Sequence, residues 1–288
     1  MIRCREIGIA DLDAIADLLT RGFPRRSRDY WMDGLRRLSV REVPEGFPRF
    51  GYVLDNEGTP VGALQLIYTA RDDGGGTSIR CNVSSWYVEP AFRNYAPLLT
   101  KVAQRHKQVT YTNISPAHWT WRTIEAQGFH AYCRGLFFSF PAMSRPAKGM
   151  RVEIVPRDAK AVDGLSEADV AILTRHAAYG CLGIVCHAAD DRGFPFVLQP
   201  KRIKDRIALP LVMQLIYCRD VADYAACAGA IGRFLLRRGT IAVALDANGR
   251  MNNLVGLYRE PIGRKYFKGR QPPRLADLSD TELVIYGP

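Results

Sequence analysis

Apolar and polar positions alternate along Ile2 to Ile7, the period of a strand, and then shift to the 3.6-residue period of a helix. Leu12, Ile15, Ala16, Leu18 and Leu19 fall on one stripe, which predicts a helix from Asp11 to Phe23 with Asp11 near its start. Ser27 is placed to cap a second helix reaching Leu38, and Pro24, Pro44 and Pro48 punctuate the loops around it. Two strand-like runs, Gly51 to Leu54 and Val61 to Thr69, flank the turn sequence Asp55-Asn56-Glu57-Gly58 and read as a hairpin. A glycine-rich tip from Asp72 to Gly76 leads into the next strand, Ser78 to Val88, which Pro90 ends. A helix follows from Tyr95 to Gln108 with Pro97 in its first turn, then a strand from Val109 to Ile114. A helix from Pro116 to Gln127, closed by Gly128, and a strand or strand pair from Phe129 to Phe140 complete this stretch.

The resulting order, β-α-α-β-β-β-α-β-α-β, joins an antiparallel meander to two strand–helix crossovers. Such an order calls for an α/β fold with a mixed sheet and helices on both faces. The pattern breaks into a linker at Met143 to Met150 and then resumes. Strands are expected at Arg151 to Val155, Leu182 to Cys186, Phe194 to Leu198, Leu209 to Cys218, Thr240 to Leu245 and Glu282 to Tyr286. Helices are expected from Ser166 to His176 and from Val221 to Arg238. Asn248 to Gly256 reads as a turn region, and the basic run Gly263 to Arg270 as a solvated loop or an anion site. The halves share an element order more than residues, so an internal duplication is the economical reading. It gives one domain over residues 1–142, a linker over 143–150 and a second domain over 151–288.

At 288 residues, with 47% apolar and 24% charged positions, the chain can build two cores. It contains no run of eighteen apolar residues, and Met1 to Leu12 does not read as a signal peptide, so a cytoplasmic location away from membranes is expected. The seven cysteines are scattered without a C-x-x-C pair, which points to buried small hydrophobes rather than a disulfide framework or a metal site. The net charge of +11 favours anionic partners: nucleic acid, a membrane surface or a phosphate-bearing small molecule. No helix is saturated with Lys or Arg, and no nucleic-acid-reading motif is present, which argues against nucleic acid.

The segment Ser84-Ser85-Trp86-Tyr87-Val88-Glu89-Pro90-Ala91-Phe92-Arg93, running into a helix, resembles the GNAT acyltransferase superfamily. Val88, Pro90 and Arg93 fit that family's V-x-P-x-x-R segment at the end of the fourth strand, and Glu125-Ala126-Gln127-Gly128-Phe129 is similar to its helix ending on Gly-Phe. The resemblance covers Ile2 to Pro141, with a fainter echo to the C-terminus, so it implies two tandem acyl-CoA N-acyltransferase-like domains. It further implies an acetyl or other acyl group moved from acyl-CoA to an amine or hydroxyl acceptor, without a metal. The alternative is a non-catalytic relative that binds a metabolite or a protein partner in the same pocket.

In the family, backbone N–H groups at a helix N-terminus hold the pyrophosphate of the coenzyme. The resemblance therefore assigns acyl-CoA binding to Tyr87, Val88, Arg93, Asn94, Tyr95, Ala96 and Lys101. The loop departs from the family's R-x-x-G-x-G/A pattern at Ala96 and Leu98, and Pro97 has no N–H to offer. The family's acid, a Tyr four residues before the Gly-Phe glycine, is replaced by Ile124, and Ala117 stands where its Asn would be. Three residues are candidates for the chemistry. His118 can act as acid or base near neutral pH or be a surface residue, and Ser115 flanks the same helix start or simply caps it. Glu89 can serve as a base through water or be a solvated carboxylate. Trp86, Trp119 and Trp121 are expected in the core or along a pocket. The second half offers no glycine in the corresponding loop, Arg219 to Tyr224, and two carboxylates there repel phosphate; Gly229 and Gly232 are expected to allow close helix–sheet packing.

Overall fold

A computed structural model describes residues 1–72, 76–201 and 211–287. Part of the expected glycine tip and the first two residues of the strand expected from Leu209 lie outside the described residues. The chain forms two compact units. The first comprises Met1–His130, Tyr266–Pro272 and Asp280–Tyr286, and the second Ala131–Lys265, Pro273–Ser279 and Gly287–Pro288.

In chain order the first stretch contains β1 (Ile2–Glu6), α1 (Leu12–Gly22), α2 (Arg28–Val40), β2 (Gly51–Asn56), β3 (Thr59–Asp72), β4 (Thr77–Val88), α3 (Ala96–Ala103), β5 (Thr110–Asn113), α4 (Trp121–Ala126), β6 (His130–Cys133) and β7 (Gly135–Ser139). There follow β8 (Arg151–Ile154), α5 (Glu167–Ala178), β9 (Leu182–His187), β10 (Gly193–Pro200), β11 (Val212–Cys218), α6 (Val221–Leu236), β12 (Ala242–Ala247), β13 (Gly256–Arg259), β14 (Lys265–Lys268) and α7 (Glu282–Ile285). The local signals act as their chemistry requires. Ser27 accepts a hydrogen bond from the Tyr30 N–H at 3.2 Å and so caps α2. Asp55 accepts one from the Gly58 N–H at 2.8 Å and closes the first hairpin. Ser166 and Asp169 exchange hydrogen bonds in a capping box that starts α5.

One sheet runs β1-β2-β3-β4-β5-β14-β6 and the other, read from its far edge, β8-β9-β10-β11-β12-β7-β13. The two orders are the same once one exchange is allowed: the seventh strand of each half sits in the sheet of the other, between its fifth and sixth strands. Each sheet has a parallel pair at the same place, β4 with β5 and β11 with β12. β14 and β7 then pair antiparallel with β5 and β12.

In the first unit α1 and α2 cover one face, packing Ile15, Leu19, Trp31 and Leu35 on Val53, Ala63 and Ile67. α3 and α4 cover the other, packing Leu99, Ala103 and Ile124 on Leu64, Leu66, Cys81 and Val83. Alternation along each strand sends neighbouring residues to opposite layers. In the second unit the larger core joins Cys227, Ala228 and Ile231 of α6 to Ile184, Phe196, Leu215 and Val243, and a smaller cluster holds Val212, Ala242 and Ala244. Six of the seven cysteines are buried and all are free, as small core residues.

Several sequence expectations need correction. The segment Glu282 to Tyr286, expected as a strand, is the helix α7 followed by Tyr286, which buries Val284, Ile285 and Tyr286. A short apolar run is compatible with either state, and the packing surface decided it. The basic run at Gly263 to Arg270, expected as a loop, contains β14; Tyr266 is fully buried, and Lys265 donates to Asp246 at 2.7 Å. β13 begins where the turn region was expected to end. α3 stops at Ala103, because Arg105-His106-Lys107-Gln108 has no apolar stripe to bury; a turn from His106 to Val109 takes its place. α4 starts only at Trp121, after a single 3-10 turn at His118–Thr120, and Gly128 follows it with φ +85°, the left-handed C-terminal position. Phe129 to Phe140, expected as a strand or a strand pair, is the pair, β6 and β7, and the two enter different sheets. Gly229 and Gly232 admit the segment 141–146 rather than the sheet: a Cβ would come within 2.4 Å of Pro146 N and 2.1 Å of Ala142 N.

Candidate functional site

β4 is twelve residues long, but it pairs with β5 only through Arg80, Cys81 and Asn82, opposite Thr110, Tyr111 and Thr112. From Val83 onward its only strand partner among the described residues is β3, so the two parallel strands diverge into a fork. Beside the fork, β4 carries a bulge. Its register against β3 shifts between Ala63 and Gln65, and Ser85 adopts φ +51°, a left-handed conformation uncommon for a residue with a side chain. Such a bulge turns the outer part of the strand away from its neighbour.

A polar cluster lies on the α1–α2 face of this fork. Ile67 faces Asn82 and Gln65 faces Ser84 across the β3–β4 ladder, so Asn82 and Ser84 share the layer of Ile67. Asn82, 2% exposed, closes the last β4–β5 pair. Its Nδ2 donates to the Thr112 carbonyl at 3.3 Å, and its Oδ1 accepts from the Glu282 N–H at 2.7 Å. The Glu282 carboxylate accepts one hydrogen bond from the Ser84 hydroxyl and another, at 2.5 Å, from the Ser115 hydroxyl just beyond β5. Burial pushes this carboxyl above the usual glutamate range, against the two hydroxyl hydrogen bonds, which lower it. α7 is held in place by Tyr286, whose hydroxyl bonds Gln65, and by Arg37, which donates to the Ile285 carbonyl at 2.9 Å.

On the opposite face, a shallow groove of about 280 Å³ runs between α3, the end of α4 and β14. Pro97, Thr100, Lys101, Gln104, Gln127 and Lys268 line it. Lys268 donates to Gln104 at 2.9 Å, and Gln104 donates to Gln127 at 3.2 Å, which fixes the three side chains relative to one another. Partial burial lowers the Lys268 pKa. The lining holds two lysines and no carboxylate, a setting for an anion.

The residues singled out from sequence fall in different places. Ser115 reaches the polar cluster through Glu282. His118 is exposed with its ring against Trp119 at 4.8 Å, and Trp119, at 75% exposure, is neither core nor pocket wall. Glu89 is paired with Arg21 of α1 at 2.8 Å. Tyr87 packs its ring over Gly22, where a Cβ would come within 2.4 Å, and Val88 is buried opposite Gly62. Arg93, Asn94 and Tyr95 lie exposed in a 3-10 turn, Pro90–Tyr95, and Ala96 opens α3. Of the residues assigned to coenzyme binding, Lys101 lines the groove. Asn82, Ser84, Gln104 and Glu282 were missed, whereas Lys268 belongs to the basic run 263–270 named as a loop or an anion site. Ser84 stands inside the quoted motif, but nothing local ties Glu282 to residues some 200 positions away.

The fork of the second unit is closed. β11 pairs with β12 only through Val212, Met213 and Gln214; the rest of β11 is then bonded by the chain beyond Pro273. Cys218 N–H donates to the Ala276 carbonyl at 3.2 Å, and Leu278 N–H to the Ile216 carbonyl at 2.7 Å. Its anion loop is also spent internally: Asp220 caps α6 by accepting from the Ala222 N–H at 2.8 Å, and Arg219 pairs with Asp169 at 2.6 Å.

No protein-family model matches the sequence, and no characterised protein matches it at the level of sequence. Solved structures do match in fold. A GCN5-related N-acetyltransferase from Anabaena variabilis superposes with a TM-score of 0.60 at 12% identity, covering 93% of this chain and 72% of that one. A GCN5-related N-acetyltransferase from Kribbella flavida gives 0.57 at 11% identity, over 93% and 70%. A conserved Enterococcus faecalis protein of unknown function gives 0.58 at 11% identity, over 97% and 74%. With the shared strand order of its two sheets, the chain has the acyl-CoA N-acyltransferase (GNAT) fold, as two tandem domains.

Proposed function

We propose that the first unit transfers an acyl group from an acyl-CoA thioester to an amine or hydroxyl acceptor, and that the second unit serves as scaffold. The observation that carries this reading is the contrast between the two forks. In the first unit the outer half of β4 has, among the described residues, no strand partner on the β5 side; in the second the matching edge is bonded by the chain's own backbone. A thioester arm laid between β4 and β5 needs such an edge, because its amides must replace the hydrogen bonds they lose from water. The groove on the α3–α4 face fits the charged end of the same donor, with Lys101 and Lys268 as its cations. Bound there, an acyl-CoA would bring an activated carbonyl to the fork.

One observation favours a non-catalytic alternative that binds a metabolite in this groove. Residues 90–95 fold as a 3-10 turn and Pro97 follows, so few backbone N–H groups are left for a pyrophosphate. The side chains of Arg93 and Lys101 then take a larger share of anion binding. Titration calorimetry with acetyl-CoA and longer acyl-CoAs tests the reading. Binding is expected, with Lys101→Ala and Arg93→Ala each weakening it about two- to fivefold, the range of an exposed ion pair. No heat with any acyl-CoA would refute it. Release of free thiol in the presence of amines separates the enzyme from the binding protein.

A further inference from the structure

The positive charge of the chain is uneven, and most of the excess falls in the second unit. No Asp or Glu occurs between Glu125 and Glu153, nor between Asp223 and Asp246. The fold brings these two acid-free stretches together, since the segment 141–146 lies against α6 at Gly229 and Gly232. α6 is enclosed from Cys227 to Gly232 and emerges in its last turns, where Arg233, Leu236 and Arg237 are exposed. Met143, on the stretch packed at Gly232, is 69% exposed, and Arg145 is exposed beside it in the chain. Past the helix end, the Thr240 N–H donates to the Leu235 carbonyl at 3.1 Å, which folds the chain back beside Leu236. Ile241 follows. Alternation along β12 puts it in the layer of Val243, the α6 side, and it stays half-exposed. Three aliphatic side chains from three segments thus stand in solvent among three arginines. None of the three arginines forms an ion pair among the described residues. A cation near a helix C-terminus complements the helix dipole, which accounts for Arg237 but neither for Arg145 on another segment nor for the exposed apolar side chains.

We propose that this end of the second unit is a peripheral docking surface for an anionic lipid bilayer. Arg145, Arg233 and Arg237 meet the headgroup phosphates and carboxylates, and Met143, Leu236 and Ile241 enter the boundary just beneath them. Uncompensated cations call for an anionic partner, and aliphatic side chains among them call for one with an apolar layer under its charges. A bilayer surface has that order of layers. Nucleic acid does not: proteins grip its strands with cations and aromatic stacking platforms, and none of these exposed apolar side chains is aromatic. No helix among the described residues is long and apolar enough to cross a membrane, so the contact is with the surface. The expectation of a location away from membranes came from spanning and leader segments, neither of which surface binding needs. The proposal is independent of the acyl-transfer reading, because it uses no residue of the fork or of the groove.

The test is co-sedimentation of the full chain with vesicles of phosphatidylcholine alone and of phosphatidylcholine with phosphatidylserine as a third of the lipid. Binding is expected to the serine-containing vesicles only, and it should fall steeply with added salt, since the attraction decays over a Debye length. Arg233→Gln and Arg237→Gln should each weaken it about fivefold, the effect of one cation near an anionic surface. Leu236→Ser and Met143→Ser should each weaken it by about the same factor, because a side chain now in solvent would no longer gain apolar burial. All four positions are exposed, so circular dichroism and the thermal midpoint should match the wild type and show that the fold is intact. Equal binding to both kinds of vesicle, binding to neither, or binding that all four variants leave unchanged would overturn the proposal. Loss in the arginine variants alone, with Leu236→Ser and Met143→Ser binding as the wild type does, would overturn it in favour of a purely charged partner, nucleic acid or an acidic protein surface.

Discussion

The placement of α7 depends on one missing side chain, and this can be measured. Gly34 lies buried in α2, and a Cβ built there would stand 1.9 Å from Tyr286 Cδ1, 2.1 Å from its Cε1 and 2.9 Å from its Cγ. The ring cannot easily give way. It packs against Tyr30 at 5.8 Å and Trp31 at 5.5 Å, and its hydroxyl is tied to Gln65. Two effects of Gly34→Ala compete. Alanine gains about 1 kcal/mol over glycine in a helix interior. Overpacking of a tight core contact costs about 1–3 kcal/mol, and an overlap involving three ring atoms belongs at the upper end. A net loss of about 1–2 kcal/mol is expected from these two terms. Urea denaturation of the wild type, Gly34→Ala, Tyr286→Ala and the double variant forms a cycle that isolates the contact. In the Tyr286→Ala background the alanine at 34 should become stabilising by about 0.5–1 kcal/mol, since only the helical gain remains. A Gly34→Ala variant that stabilises the otherwise intact protein would refute the reasoning.

Further outcomes follow from the buried charges. Lys265 and Asp246 are 3% and 0% exposed in their side chains and bond at 2.7 Å. Lys265→Met should cost about 3–5 kcal/mol in chemical denaturation, because it strands a buried carboxylate, and adding Asp246→Leu should recover a large part of that loss. The Asp55 carboxyl is held below the usual aspartate range by the hydrogen bonds from the Gly58 N–H and Arg5. A depressed carboxyl contributes stability above its unfolded pKa and loses it as pH falls through the folded one. Asp55→Asn should therefore lower the thermal midpoint at pH 7, with the difference from wild type fading as the pH drops below the usual aspartate value. A difference constant with pH would contradict this.

Much of the fold was legible locally. The helical stripe of Leu12 to Leu19, the Ser27 and Ser166 caps and the Asp55–Gly58 turn each form where short-range chemistry asks for them. The resemblance carried by Ser84 to Arg93 marked the correct strand and led to the fold, and Ser115 was in view from its place near a helix start. The coenzyme loop was legible only in outline. Pro97 announced the missing N–H, but the 3-10 turn that places Arg93, Asn94 and Tyr95 in solvent follows from the local path of the backbone.

By itself, then, the sequence determined the strands and helices whose signals are local, because periodicity, caps and turn residues act over a few positions. Only the tertiary structure decided where those segments go. Lys265 to Lys268 reads as a charged loop until β5 offers it a partner, and the run from Glu282 to Ile285 becomes a helix because the face at Gly34 accepts Tyr286 at its end. The same long-range choice brings Glu282 to Asn82, Ser84 and Ser115 and fills the second fork with the backbone of Ala276 to Leu278. Pairing between segments this far apart in the chain leaves no local mark on either partner. It is set by which free edge and which apolar face remain once the nearer elements have packed.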